Sequence, residues 1–236
     1  MHPFIGEFLG TAILIILGEG VVANVVLNKT KGNGSGLIVI AFGWAIAVFA
    51  GIFIASHFSK AHLNPAFTIA AAFVGNGFSW SDVPVYVGGQ MLGAMTGAAI
   101  MWLAYKQHFL VTPDAEAKLA VFATGPAIRS TPNNIMTELI ATFVLVLSAL
   151  YIAAPASTLG ALDALPIALV VLGIGLSLGG PTGYAINPAR DLGPRIVHAL
   201  LPIPGKGNSD WAYSWIPVVG PILGGLVAAV VYKLLL

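Results

Sequence analysis

The chain has 236 residues and a formal net charge of +1; 58% of its residues are hydrophobic and 8% charged, where a soluble domain carries about 25% charged residues. With a mean hydropathy of +0.92, that balance excludes a soluble domain and describes a chain whose main solvent is the bilayer. The ten basic residues are scattered singly, so nucleic acid is not an expected partner. The absence of cysteine removes disulfides, thiolate nucleophiles, iron–sulfur clusters and Cys-ligated zinc.

A spanning helix needs about 20 residues. The first apolar run, residues 4–27, has no basic leader and carries Glu7 and Glu19, so it reads as a retained span rather than a signal peptide. The polar, Gly-rich stretch 28–36 separates it from a second span at 37–58. Residues 64–74 are helix-like but only half a membrane deep, which fits a re-entrant segment. A third span follows at 83–105. Residues 106–133 read as a loop, and spans at 134–154 and 162–178 come after it. A second half-depth piece occupies 187–200, and the loop 205–210 leads into the last span, 212–235. The expected fold is an all-α membrane protein with six transmembrane helices plus two re-entrant half-helices.

Orientation divides the signals. The side shared by both termini holds Lys60 and Lys233, and the opposite side holds Lys29, Lys31, Lys106, Lys118, Arg129 and Lys206. Charge counting alone therefore places the termini outside, although the rule weakens for charges in one long loop.

The two halves of the chain echo each other. Glu7-Phe8-Leu9-Gly10-Thr11 is matched by Glu138-Leu139-Ile140-Ala141-Thr142, Asn64-Pro65-Ala66 by Asn187-Pro188-Ala189, and Gln90-Met91-Leu92-Gly93 by Pro221-Ile222-Leu223-Gly224. The chain is thus expected to form a single transmembrane domain over 1–236, with repeat halves at approximately 1–105 and 134–236 joined by 106–133. Three spans per half is an odd number, so the copies enter the membrane from opposite sides, the inverted-repeat plan of transport proteins. In each tripeptide the Asn can cap a helix whose first turn accepts Pro without losing a hydrogen bond. Two half-helices from opposite faces bring both N-termini, each worth about half a positive charge, to the midplane.

These residues resemble the major intrinsic protein family, the aquaporins and glycerol facilitators. The resemblance covers the whole chain, through His62-Leu63-Asn64-Pro65-Ala66-Phe67-Thr68 and the run from Gly183-Tyr184-Ala185-Ile186-Asn187-Pro188-Ala189-Arg190 to Asp191-Leu192-Gly193-Pro194-Arg195. Asp191 directly after Arg190, and the long 106–133 connection, resemble the glycerol-conducting branch. The family resemblance implies a homotetramer of separate pores in the plasma membrane with cytoplasmic termini, and that orientation is preferred to the charge count.

By position, the resemblance implies a selectivity filter of Trp44, Gly175, Tyr184 and Arg190. Trp44 stands twenty residues before Asn64, and Tyr184 stands where the family more often has Phe, which implies a slightly more polar filter. Arg190 offers fixed donors and a charge that repels cations, while the rings present apolar faces to a carbon skeleton. The backbone carbonyls of Lys60, Ala61, His62, Gly183, Tyr184 and Ala185 are expected to form an acceptor ladder, with Asn64 and Asn187 donating at the centre.

Intramembrane carboxylates cost about 2.5 to 3.5 kcal/mol on insertion scales, so Glu7 and Glu138 need a reason. Their symmetry points away from proton coupling, and the family resemblance implies that each braces a re-entrant loop; Asp191 is expected to give structural support. Glu19 has no repeat partner and is expected to face a vestibule or bond a loop. His57 and Lys60 are expected at the cytoplasmic mouth, His57 as a solvated loop residue. The Gly6/Gly10, Gly89/Gly93/Gly97 and Gly220/Gly224 spacings permit close helix packing.

The function expected is a passive channel for glycerol and other small uncharged solutes, with some water permeability, and not an enzyme. Protonated lactic acid or similar neutral hydroxy acids form the alternative within this fold. A proton-coupled transporter using Glu7 and Glu138 is the alternative from another class. No cofactor or metal is expected; the partners are glycerol, water, small neutral solutes and membrane lipids.

Overall fold

The computed structural model describes residues 2–152 and 162–235. Among them are nine α-helices and no strand: α1 Pro3–Val26, α2 Leu37–Ala55, α3 Pro65–Val74, α4 Val83–Val111, α5 Ala115–Phe122, α6 Thr131–Ile152, α7 Leu165–Leu178, α8 Pro188–Leu200 and α9 Ile216–Leu235. Helices α1, α2, α4, α6 and α9 are long and apolar enough to cross a membrane, and α7 is a shorter apolar helix of 14 residues.

Several boundaries differ from expectation: α2 ends at Ala55 rather than 58, α6 begins at Thr131 rather than 134, and α7 begins at Leu165 rather than 162. Helix α4 continues past Tyr105 to Val111, and the expected loop 106–133 also contains α5. Asp114 starts α5 by capping, its Oδ1 accepting from the N–H groups of Glu116 and Ala117 at 2.8 and 3.3 Å. The last span begins at Ile216 rather than 212. Residues 153 and 154, the expected end of the fourth span, lie outside the described residues.

Polarity is distributed inside out. Glu7, Glu19, Gln90, Glu138, Asp191 and Arg195 are fully buried, while Ile38, Ile46, Leu103 and Leu169 are exposed. Water would reverse that arrangement; lipid permits it.

Glycines set the helix spacing. A Cβ at Gly89 of α4 would lie 3.0 Å from Glu7 Cβ, and one at Gly220 of α9 would lie 2.7 Å from Glu138 Cβ. One turn on, Gly93 meets the carbonyl of Phe8 and Gly224 that of Leu139. The same backbone-on-backbone approach therefore joins α1 to α4 and α6 to α9. The half-helices cross between these pairs, α3 packing against α9 and α8 against α4.

Both half-helices start as the tripeptides dictate. Asn64 is the N-cap of α3, its Oδ1 accepting from Ala66 N–H at 2.9 Å. Asn187 caps α8 by accepting from Ala189 and Arg190 N–H at 3.0 and 3.3 Å. Pro65 and Pro188 occupy the first helical position, where no N–H is missed. Helix α3 ends on Gly75, whose φ of +87° closes the turn without steric cost.

Candidate functional site

Each half-helix is approached through irregular backbone. Before α3, Ala61 and Leu63 both have φ of +51°; before α8, Tyr184 has φ of +40° and Ile186 of +46°. Side chains make such conformations unfavourable by about 1–3 kcal/mol each, so the surroundings must hold them. The helices beside the loops supply the holding groups. Glu7 of α1 accepts from Leu63 N–H at 2.7 Å, His62 N–H at 3.0 Å, Ser59 Oγ at 2.7 Å and Gln90 Nε2 at 2.8 Å. Glu138 of α6 accepts from Ile186 N–H at 2.9 Å, Ala185 N–H at 3.0 Å and Thr182 Oγ1 at 2.7 Å. Each buried carboxyl satisfies consecutive N–H groups that irregular backbone leaves unpaired.

The two capping asparagines also tie the loops together. Asn64 Nδ2 donates to the Ile186 carbonyl at 2.8 Å, and Asn187 Nδ2 donates to the Leu63 carbonyl at 2.7 Å. A side-chain amide has two N–H donors, so holding the opposite loop uses one donor on each Asn. Both residues line a cavity of about 380 Å³.

The lining of that cavity mixes two kinds of residue: the aliphatic Leu14, Val48, Ile52, Leu145 and Val171, and the loop residues Lys60, Ala61, His62, Tyr184 and Ala185 together with the two asparagines and Arg190. Trp44 and Tyr184 also line it. The guanidinium carbon of Arg190 sits 4.2 Å from the centroid of the Trp44 ring, and its Nη1 donates to the Phe122 carbonyl at 3.5 Å. A planar cation against an indole face is held by charge and stacking together.

Arg190 stands on a buried clamp. Asp191 and Arg195, one helical turn apart and both fully buried, form an ion pair at 2.8 Å. Asp191 Oδ2 accepts from both the N–H and the hydroxyl of Thr124 at 2.7 Å. Arg195 donates to the carbonyls of Thr124 and Ser209, each at 2.8 Å. The strap that carries Phe122 is thereby fixed against α8. On the rim, the Asp210 carboxylate paired with exposed Arg129 raises that guanidinium above its ordinary pKa.

The family model Major intrinsic protein matches residues 1–232. The chain belongs to the major intrinsic protein family. It is 54% identical over 233 residues to the probable glycerol uptake facilitator protein of Thermotoga maritima, covering 99% of each chain. It is 55% identical over 233 residues to the glycerol uptake facilitator protein of Bacillus subtilis, covering 99% of this chain and 84% of that one. Among solved structures, the aquaglyceroporin from Plasmodium falciparum matches with a TM-score of 0.87 at 32% identity, covering 98% of this chain and 95% of the other. Like its family, this chain is an integral membrane protein with an aquaporin-like fold of membrane helices, not an enzyme.

Within this family fold, the expected site residues fall into three groups. Trp44, Tyr184 and Arg190 line the cavity; Gly175 instead lies behind Tyr184, where an added Cβ would sit 3.0 Å from Cζ and 3.1 Å from the hydroxyl oxygen. Of the six carbonyl positions, Lys60, Ala61, His62, Tyr184 and Ala185 line the cavity and Gly183 does not. Pro65, Ala66, Pro188 and Ala189 are buried in the first turns of α3 and α8.

Two expectations need correction. The Tyr184 hydroxyl is fully buried with no hydrogen-bond partner among the described residues, so the ring adds bulk to the filter and no donor; the Gly175 niche receives its polar tip. Glu19 neither faces a vestibule nor bonds a loop: it is fully buried and both its oxygens lack partners among the described residues. It falls on the stripe of α1 that also buries Ile15 and Ala23. Lys60 is exposed, and its amine donates to the Gly77 carbonyl at 2.6 Å. His57 is exposed, edge-on to Phe53 and Phe58.

Reading residues singly also missed two partners. Gln90, noticed only as a repeat marker, donates to both Glu7 and Thr68. Arg195 is the other, and its i,i+4 spacing from Asp191 is a helix-pairing signal.

Proposed function

We propose that this chain is a passive transmembrane channel for glycerol and other small uncharged solutes, with water as a secondary passenger. The observation that carries the reading is the mixed lining of the cavity, in which aliphatic side chains occur together with irregular loop backbone, two amides and a guanidinium. A polyol has a hydrocarbon edge and a hydroxylated edge. Laid against that lining, it exchanges water for preformed partners without leaving a polar group unpaired.

The parts follow from their chemistry. Trp44, Tyr184 and Arg190 form the selectivity filter, with Gly175 making room for Tyr184. The guanidinium donates to hydroxyl oxygens and repels cations. Carbonyls from Lys60 to His62 and at Tyr184 and Ala185 accept from the solute, and Asn64 and Asn187 donate at the centre, where two half-helix N-termini oppose cations. Both repeat halves contribute to one channel domain. Four copies assemble as a tetramer of separate pores in the plasma membrane, with cytoplasmic termini.

Proton coupling is disfavoured because Glu7 and Glu138 are each engaged by three or more donors, and releasing either would leave loop N–H groups unpaired. Lactic acid gains no particular support, since the Tyr184 hydroxyl is out of reach of the cavity.

Swelling of vesicles reconstituted with the protein tests the reading, using glycerol, urea, dihydroxyacetone, lactic acid and water. Glycerol flux should exceed that of empty vesicles, stay unsaturated at low millimolar concentration and ignore collapse of a proton gradient. Flux abolished by collapsing the gradient would move the protein to the transporters. Lactic acid flux above that of glycerol, falling about tenfold per pH unit above the acid's pKa as the neutral fraction does, would change the main passenger.

A further inference from the structure

Both rings of the filter rest on glycine, but only one of those glycines belongs to the four positions expected from the family. Tyr184 rests on Gly175. Trp44 rests on Gly18 of α1, where a Cβ would overlap Cζ3, Cε3 and Cη2 of the indole. Arg190 lies against the same indole. Helix backbone, indole and guanidinium thus form one continuous contact, which starts eleven residues along α1 from Glu7, about 17 Å at 1.5 Å per residue.

We propose that Gly18 is a specificity-determining positioning residue, whose missing side chain lets Trp44 lie back against α1 and so sets the width of the slot between Trp44, Tyr184 and Arg190. The inference rests on the channel reading above, and Gly18 itself touches no solute. The direction of the effect follows from what can move. Helix α1 is fixed by its own hydrogen bonds and by the Gly93 and Gly97 contacts of α4 on its other side. The indole must therefore yield, and the open volume beside it is the cavity that Trp44 lines. A methyl at position 18 moves the ring into the path, obstructing a three-carbon polyol before it obstructs water.

The test is the ratio of glycerol to water permeability in reconstituted vesicles. Gly18→Ala should lower glycerol permeability at least roughly fivefold, the barrier equivalent of a small overpacking strain, while water permeability changes less than about twofold. Gly43→Ala, one residue before Trp44, is the control on the same α1–α2 interface: its Cβ would overlap the Val21 side chain of α1. That variant should leave the ratio unchanged. Adding Trp44→Phe to Gly18→Ala gives the ring room again and should restore glycerol passage.

A parent protein that passes no glycerol would overturn the channel reading, and this inference with it. With a glycerol-conducting parent, an unchanged ratio in Gly18→Ala, or the same fall in Gly43→Ala, would overturn the assignment of Gly18 alone. If Gly18→Ala fails to reach the membrane, the double variant decides. Its recovery as a folded, glycerol-conducting protein supports the indole as the group Gly18 accommodates, and its failure overturns that assignment.

Discussion

The two re-entrant loops are built alike and finished differently. Both hang from a fully buried glutamate, and both lend one Asn amide proton to the other loop. Beyond that shared frame, the first loop is supported by neutral groups: Gln90 donates to Glu7 and Thr68, and the Thr68 hydroxyl donates to the Asn64 carbonyl. The second is supported by charge, through Arg190 on the indole and the buried Asp191–Arg195 pair that binds Thr124 and Ser209. The divergence begins one residue past each tripeptide, with Phe67-Thr68 in one half and Arg190-Asp191 in the other. The two halves thus share the frame, and the buried charged support is found on the second loop only.

If that division holds, the largest loss should come from the charged side. Arg195→Leu leaves Asp191 buried without its counter-charge, and breaking a buried pair in this way costs about 3–5 kcal/mol. Thermal unfolding in detergent should show a fall in Tm well beyond that of any neutral-side variant. An unchanged Tm would mean that the clamp does not support the second loop.

The shared frame comes next. Glu7→Gln and Glu138→Gln each turn an acceptor toward several N–H donors into a group that can accept through one oxygen only. Hydrogen bonds to charged groups are worth about 1.5–3 kcal/mol each. Both variants should reduce the amount of assembled protein by similar factors, with normal selectivity in what survives. Normal amounts with a specific loss of flux would instead restore proton coupling as an explanation.

Arg190→Val should matter for selectivity more than for folding. The side chain makes one long hydrogen bond, to Phe122, and one ring contact, so a stability change of about 1 kcal/mol is expected. Passage of polyols longer than glycerol should rise and the barrier to cations should fall. A variant that folds and keeps wild-type selectivity would remove Arg190 from the filter.

The sequence showed the frame well and its finishing unevenly. Spans were legible because lipid demands long apolar runs, and the half-helices because Asn-Pro-Ala occurs twice at matching places. Helix α8 carries Arg190, Asp191, Arg195 and His198, so its apolar content alone would not mark it; the motif did. Helix α5 is only eight residues long, too short for periodicity to reveal, although Asp114 before Ala-Glu-Ala is a capping signal. Pairs distant in the chain were the hardest to see. Nothing in residues 18 and 44 read separately shows that one vacates space for the other, and Tyr184 looked like an added donor until its hydroxyl was found against Gly175.

The smallest expected effect is on the neutral side, and it is the sharpest test of the asymmetry. Gln90 Nε2 gives one hydrogen to Glu7 and one to Thr68, while its Oε1 is buried with no partner among the described residues. Gln90→Leu therefore removes two donor contacts and an unsatisfied acceptor at the same time. Glu7 keeps Ser59 and the N–H groups of His62 and Leu63, and Thr68 keeps its bond to the Asn64 carbonyl. Because the lost bonds and the relieved desolvation oppose each other, the net cost should be about 1 kcal/mol, and the loop should keep its path. Thermal unfolding should then show a shift clearly smaller than that of Arg195→Leu, with glycerol permeability at the wild-type level. A fall in Tm equal to that of Arg195→Leu would show that the neutral network supports its loop as strongly as the ion pair supports the other, and the distinction between the halves would collapse.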